Sequence, residues 1–571
     1  MKKLSEIYKR LNKKEWFEPV FVIGMSLTVT LGIVVGVHSA FGQADVSIAN
    51  NKGEEYFYEG KYDEAIQEFE TLQREEEWPI WKVKQAEIYS IKGDYDKSNS
   101  LLKEAVIIRN KLIQKEQDKY SDKDNEFMNE VVYSFFINKE YEQAVSLGED
   151  YILNNEEYKP LMRTMLSIYM SLDEKDNAKE IVEEYTVDEN SSYDMSVYAN
   201  MQMVIGDING ALSTLKEAFE LNKDEINILD VVSQLANYNR EEVINVLTEL
   251  SEDNDEVYNL FLAKVYSMDK DKYIEAIDIV DSLDDSFKES LVYNVLKAQL
   301  AYNIGNEEEA TDIVNKIVDS KDSGYAKYYI EATKYLKQGN YDKAIEYSKK
   351  SILENNDYAD NYGVLLPEIL LAKNDTDCIE SYFRTAILEE PFNISMIINI
   401  GNYYANNLGR YDKAAQYYEL ASKINSSNAD IYYLLGNMEV NQEKYDTAIE
   451  YFEKALSLDK ENGKYFRALG TAYYNIGDNE ESINNTREAY ALDETDILAL
   501  NNAGCYYMTV EKDVWRGFSN IEAAYEEMPE NIDSDTKKKI TDNYNQAKEV
   551  FDKYIEDENI DINIPKLNLF Y

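Results

Sequence analysis

Between Ala429 and Asn462 the apolar residues Tyr432, Leu435, Phe452, Ala455 and Leu456 recur at the three- and four-residue spacing of a helix stripe. Gly436 and Ala448 put small residues where two such stripes would cross at close range. The pattern predicts two helices, with the phrase EKYDTA at 443–448 opening the second. Related phrases punctuate the chain: GKYDEA at 60–65, GDYDKS at 93–98, KEYEQA at 139–144, GNEEEA at 305–310, GNYDKA at 339–344, GRYDKA at 409–414 and, more weakly, GDNEES at 477–482. In several copies a Gly supplies a left-handed stop, and the Asp or Asn after it opens the next helix.

The last residue of each phrase, or its equivalent, falls at Ala65, Ser98, Ala144, Ala178, Ala211, Val243, Ala276, Ala310, Ala344, Ile379, Ala414, Ala448, Ser482 and Gly517. One step, from Ser98 to Ala144, is 46 residues; the others run from 32 to 35. A helix pair of this size cannot bury its apolar face alone, so neighbouring pairs must stack. The long step points to an insertion at 108–128, read as an extended helix with a polar loop. Asp122, Asp124 and Glu126 alternate there but lack the Gly and distal Glu of a calcium loop, and read as a solvated charge run. Residues 533–556 show helical spacing in Ile540, Tyr544, Ala547, Val550, Phe551 and Ile555, as a capping helix would. The apolar stretch INIPKLNLFY that follows is expected either to dock on the cap or to be displayed to a partner.

The period and its small and aromatic positions resemble the tetratricopeptide repeat family. The resemblance spans roughly Asp45 to Glu530. It is strongest over 326–530, through Gly401, Tyr404, Ala414, Tyr418 and Ala421, then Gly470, Tyr473 and Ala489. It is weakest over 224–260, where Val243 replaces the small residue. It implies an all-α fold, an α-solenoid of about 13–14 helix pairs. The domains expected are a basic N-terminus at 1–18, a transmembrane helix at 19–41, a divergent array at 45–322, a strongly matching array at 323–530, and a cap with an apolar tail at 531–571. The family's groove positions, carried onto first helices, fall at Asn402, Asn406, Tyr433, Asn437, Asn441, Lys464, Arg467 and Asn475. Asparagine amides can pair with an extended backbone as donor and acceptor. Lys464 and Arg467 suit a carboxylate.

Val20 to Val37, VFVIGMSLTVTLGIVVGV, holds no charge over 18 residues. At about 1.5 Å per residue that is roughly the thickness of a bilayer core. Lys2, Lys3, Lys9, Arg10, Lys13 and Lys14 precede it against Glu6, Glu15 and Glu18, six charges against three. That bias predicts a single-pass cell-membrane protein with a cytoplasmic N-terminus and an extracytoplasmic array. The competing reading is a cleaved signal peptide, for which the apolar run is long. Gly32, Gly36 and Ala40 share one face and would let two such helices pack, giving a homodimer.

Composition narrows the function. A net charge of −51 disfavours nucleic acid as a partner. The one histidine, His38, flanks the apolar run, so histidine-based catalysis and metal ligation find no residues elsewhere. Cys378 and Cys505, the two cysteines, read as small core residues. The 49 tyrosines suit packed helix interfaces whose hydroxyls reach solvent. Richness in Asn, Lys, Ile, Tyr and Asp hints at an AT-rich bacterial genome. These features predict a non-catalytic scaffold without cofactor or metal, binding protein or peptide clients in its groove. The alternative is a holding chaperone in secretion or envelope assembly, such as that of a pilus.

Overall fold

A computed structural model describes residues 46–155, 157–251, 255–320, 324–529, 532–556 and 563–571. Among these residues there are 29 α-helices and no strand. The phrase that punctuates the sequence marks helix starts. In thirteen of the fourteen units the second helix begins three residues before the anchor: Tyr62 for Ala65, Tyr95 for Ser98, Tyr445 for Ala448, Val514 for Gly517. Ile379 is the exception, being itself the first residue of its helix.

The anchors are small because helices cross on them. Ala65, Ala144, Ala211, Ala344 and Ala448 are 0% exposed. Opposite Ala448, a Cβ added to Gly436 would lie 2.4 Å from the Phe452 ring. The turns between paired helices carry one residue at positive φ. Gly60, Gly93 and Gly339 take it at 71°, 81° and 72°, but Lys139, Asp173 and Glu443 take it at 64°, 58° and 60°. The side chains of Asp94, Asn306, Asn340 and Asp478 then accept from backbone N–H groups in the first turn of the following helix.

The described residues fall into two compact units that divide between Met396 and Ile397. The expected division at 322/323 followed strength of match rather than compactness. In the first unit, the insertion is no polar loop. Tyr95–Ile137 runs as two helices merged across a kink at Glu116, where φ is −148° and ψ is 59°. The two arms lie against each other through the Arg109–Asp124 ion pair. Trp78 stacks on Tyr120 at 4.9 Å between ring centroids. The divergent stretch over 224–260 still forms paired helices, Asn227–Tyr238 and Arg240–Ser251, with Val243 fully buried.

This unit also closes on itself. The helix Ile379–Glu389 meets inward-facing residues of the earliest repeats. Ser381 Oγ donates to the Phe57 carbonyl at 2.6 Å, Tyr133 OH donates to the Arg384 carbonyl at 3.0 Å, and Tyr58 stacks on Tyr382 at 5.1 Å. Nearby tyrosine hydroxyls go to half-buried protein partners: Tyr358 donates to Asp230 at 2.6 Å and Tyr193 to the Asp357 carbonyl at 2.7 Å.

The second unit, from Ile397, ends in the capping helix Ser534–Glu556, whose Ile540 and Ala547 are 0% exposed. Ile555, expected on its apolar face, is 53% exposed.

The single-pass membrane expectation is corrected. No helix among the described residues is long and apolar enough to cross a membrane. The longest runs, Tyr95–Ile137 and Ser534–Glu556, carry charged residues along their length. The apolar stretch at 19–41, with the face formed by Gly32, Gly36 and Ala40, lies outside the described residues. A cell-membrane location therefore has no structural support.

Candidate peptide groove

In the second unit, three first helices and the cap present polar side chains to residues 563–571. The helices are Ala429–Asn441, Gly463–Ile476 and Ile497–Tyr506, followed by Ser534–Glu556. Pro565 disfavours helix in the residue before it, and the stretch has no regular secondary structure.

Two asparagines each clamp one residue of this segment by both backbone groups. The Asn568 N–H donates to Asn543 Oδ1 at 2.7 Å, and Asn543 Nδ2 donates to the Asn568 carbonyl at 2.7 Å. The Phe570 N–H donates to Asn502 Oδ1 at 2.9 Å, and Asn502 Nδ2 donates to the Phe570 carbonyl at 2.6 Å. Asn501 adds a donor to the Asn568 carbonyl at 3.1 Å, and Thr471 Oγ1 one to the Phe570 carbonyl at 2.7 Å. The clamped residues are two apart, the period of an extended strand. An amide offers donor and acceptor side by side, so it replaces the strand partner that an isolated backbone lacks.

Side chains at and beside the clamped residues enter apolar hollows. Leu567, 6% exposed, joins Cys505, Met508, Val514, Phe518 and Val550. Phe570, also 6% exposed, joins Ile497, Leu500, Ala524 and Ile540. Tyr571 packs on the cluster around Tyr433 and Tyr465, and its hydroxyl accepts from Asn475 Nδ2 at 2.8 Å. Its carbonyl oxygen accepts from Tyr433 OH and from Arg467 Nε and Nη2, each at 3.4 Å. Cys505 lies beneath, its thiol 3.6 Å from the Asn568 carbonyl. Burial pushes that thiol well above its ordinary value.

Of the eight positions read from the sequence, Tyr433, Arg467 and Asn475 touch the segment. Asn437 and Asn441 instead donate to carbonyls of their own helix, Tyr433 and Asn437, at 2.9 and 2.8 Å. Asn402 accepts from Tyr418 OH at 2.7 Å, inside the helix pair, and Asn406 is half-buried in the π-helical turn Tyr403–Leu408. Both basic residues already carry carboxylates. Lys464 donates to Asp430 at 2.9 Å, and Arg467 pairs with Asp496. Burial works to raise the Asp430 carboxyl, but the Lys464 ammonium and the Tyr465 hydroxyl outweigh it and hold it below its usual range.

Family models of the tetratricopeptide repeat match residues 46–75, 394–428 and 429–462. These residues carry tetratricopeptide repeats. A further model, of ChAPs (Chs5p-Arf1p-binding proteins), matches residues 227–351. Curated sequences hold no match. Solved structures similar to this chain include the APC/C hetero-tetramer Cut9-Hcn1, at 16% identity and TM-score 0.35, covering 87% of this chain and 95% of that one. Yeast Tom70 is similar at 13% identity and TM-score 0.33, over 89% and 98%. YrrB, a TPR protein with an unusual peptide-binding site, is similar at 21% identity and TM-score 0.26, over 32% and 93%.

Repeat register reaches two of the residues that sequence reasoning missed. Tyr433, Arg467 and Asn502 each stand 15 residues before their anchors, Ala448, Ser482 and Gly517. Thr471 and Asn437 each stand 11 before theirs. Asn543 lies on the cap, outside the repeat register, and no periodic signal points to it.

Proposed function

We propose that this chain is a non-catalytic interaction scaffold whose second unit holds an extended polypeptide along the wall between Tyr433 and Asn543. The observation carrying this reading is the pair of asparagine clamps on backbone groups two residues apart. Such a wall grips main chain first and sorts side chains second, as strand-adding domains do. Its chemistry is all recognition: amides, two hydroxyls and a guanidinium that a carboxylate neutralises. The match to a family named for binding two proteins adds support for an adaptor.

A second reading, a holder of unfolded chains, draws support from the same clamps, because backbone contacts tolerate many sequences. One experiment tests both. A display library of extended peptides is panned on the full chain carrying Phe570→Ala and Tyr571→Ala, with Asn502→Leu and Asn543→Leu versions as controls. The scaffold reading expects a few related peptides whose binding falls about tenfold or more in the controls. Many unrelated weak binders would favour the holder, and no clamp-dependent binder would remove both.

A further inference from the structure

The segment 563–571 bears the marks of a ligand rather than of the array. It contributes no helix to the stack, and its backbone is satisfied by side chains of other elements: Asn543, Asn501, Asn502, Thr471 and Arg467. Two of its side chains, Leu567 and Phe570, are buried; Ile564, Leu569 and Tyr571 are partly so. Its single charged side chain, Lys566, is exposed and positive on a chain of net charge −51. Beneath it the paired helices also pack directly on each other: a Cβ added to Gly436 would meet the Phe452 ring at 2.4 Å, and one added to Gly504 would meet Ile521 at 2.6 Å.

We infer that residues 563–571 are a built-in ligand that competes for the groove with a partner of the same chemistry. This rests on the groove reading above and adds the ligand class. That class is an extended, uncharged or weakly cationic polypeptide stretch with leucine at the first position and adjacent aromatic residues at the fourth and fifth. It follows the Leu-Asn-Leu-Phe-Tyr order of 567–571. The two backbone clamps fall at the second and fourth positions and hold main-chain groups. The hollows for Leu567 and Phe570 and the Asn475–Tyr571 contact set the preference. While the segment is docked, a partner meets only the fraction of molecules in which it has lifted, so its apparent affinity falls by that fraction.

Cys505 supplies the readout. It is one of two cysteines in the sequence, 1% exposed, and lies under the Asn568 carbonyl. The test uses the full chain carrying Cys378→Ser, so that alkylation reports Cys505 alone. Phe570→Ala with Tyr571→Ala is expected to raise the alkylation rate about tenfold or more with a cooperative melt retained. Asn568→Pro, which removes the N–H and the side-chain amide that donate to Asn543 and leaves every helix residue unchanged, is expected to do the same. The free peptide NIPKLNLFY, labelled and followed by fluorescence anisotropy, is expected to bind the de-anchored chain at least about tenfold tighter than the parent and to restore Cys505 protection. Adding Asn502→Leu is expected to abolish that binding. Equal peptide affinity for both chains, or unchanged Cys505 protection in folded variants, would overturn the inference. So would a dimer held by exchanged segments, which places the ligand in a second copy. Library peptides recovered through Asn502 and Asn543 while NIPKLNLFY fails to bind would sink this inference alone. Failure of every peptide would remove the scaffold reading as well.

Discussion

At the scale of single residues, the turns between paired helices expose where the repeat is best and worst made. Glu443 holds φ at 60° where other copies use glycine. A left-handed L-residue costs roughly 1–2 kcal/mol, against about 0.5–1 kcal/mol of entropy for a glycine. Glu443→Gly is therefore expected to raise unfolding free energy by about 0.5 kcal/mol in denaturant titration. Gly436→Ala is expected to lower it by about 1–3 kcal/mol, because the new methyl meets the Phe452 ring. Both positions are readable in the sequence, since the phrase EKYDTA shows the missing glycine and the spacing shows the required one. The tyrosine hydroxyls are not. Nothing near Tyr358 in sequence announces Asp230, 128 residues away.

At the scale of elements, helix starts are legible because each is fixed locally, by a turn residue, a cap and a small residue three positions in. Elements whose conformation depends on distant partners are not. The segment after the cap reads as apolar and unattached, yet it is held by residues from Tyr433 to Asn543 through backbone contacts that leave no periodic trace. Lys464 and Arg467 read as free cations because Asp430 and Asp496, which neutralise them, lie on neighbouring helices. The insertion reads as a loop because its charges are dense; Arg109 and Asp124 turn that density into a seam between two arms. The Asp124 side chain is 7% exposed and that of Arg109 15%. Removing one partner of so buried a pair leaves the other charge uncompensated. Asp124→Ala is expected to cost about 3 kcal/mol and to open a protease site near Glu116. Limited proteolysis with mass spectrometry would check this, and an unchanged digestion pattern would refute it.

At the scale of the molecule, ionisation couples folding to pH. Burial lifts the carboxyls of Asp230 to about 6, of Glu130 and Glu390 to about 7, and of Glu368 and Glu389 to about 8. Each keeps a proton in the folded chain that it has lost in the unfolded chain once pH exceeds the ordinary carboxyl range. Folding thus takes up protons there, and stability falls as pH rises from about 5 to about 7. Burial also pushes Lys337 down to about 7 and Lys264 to about 8. These release protons on folding from about pH 6 upward, where they oppose the five carboxyls only in part. Melting temperature is expected to be higher at about pH 5 than at about pH 7, by differential scanning calorimetry. The net charge of −51 acts in the same direction, so added sodium chloride is expected to raise the melting temperature at neutral pH.

The contact of Ile379–Glu389 with residues 57, 58 and 133 sets a limit on how this chain can change by recombination. An open stack tolerates gain or loss of a whole unit, because each repeat needs only its neighbours. Here a unit deleted in frame between Tyr133 and Ser381 would keep every neighbour contact and still carry Ser381 and Arg384 away from Phe57 and Tyr133. The number of repeats in the first unit is thereby locked by its own seam, while the side chains within each repeat stay free to drift.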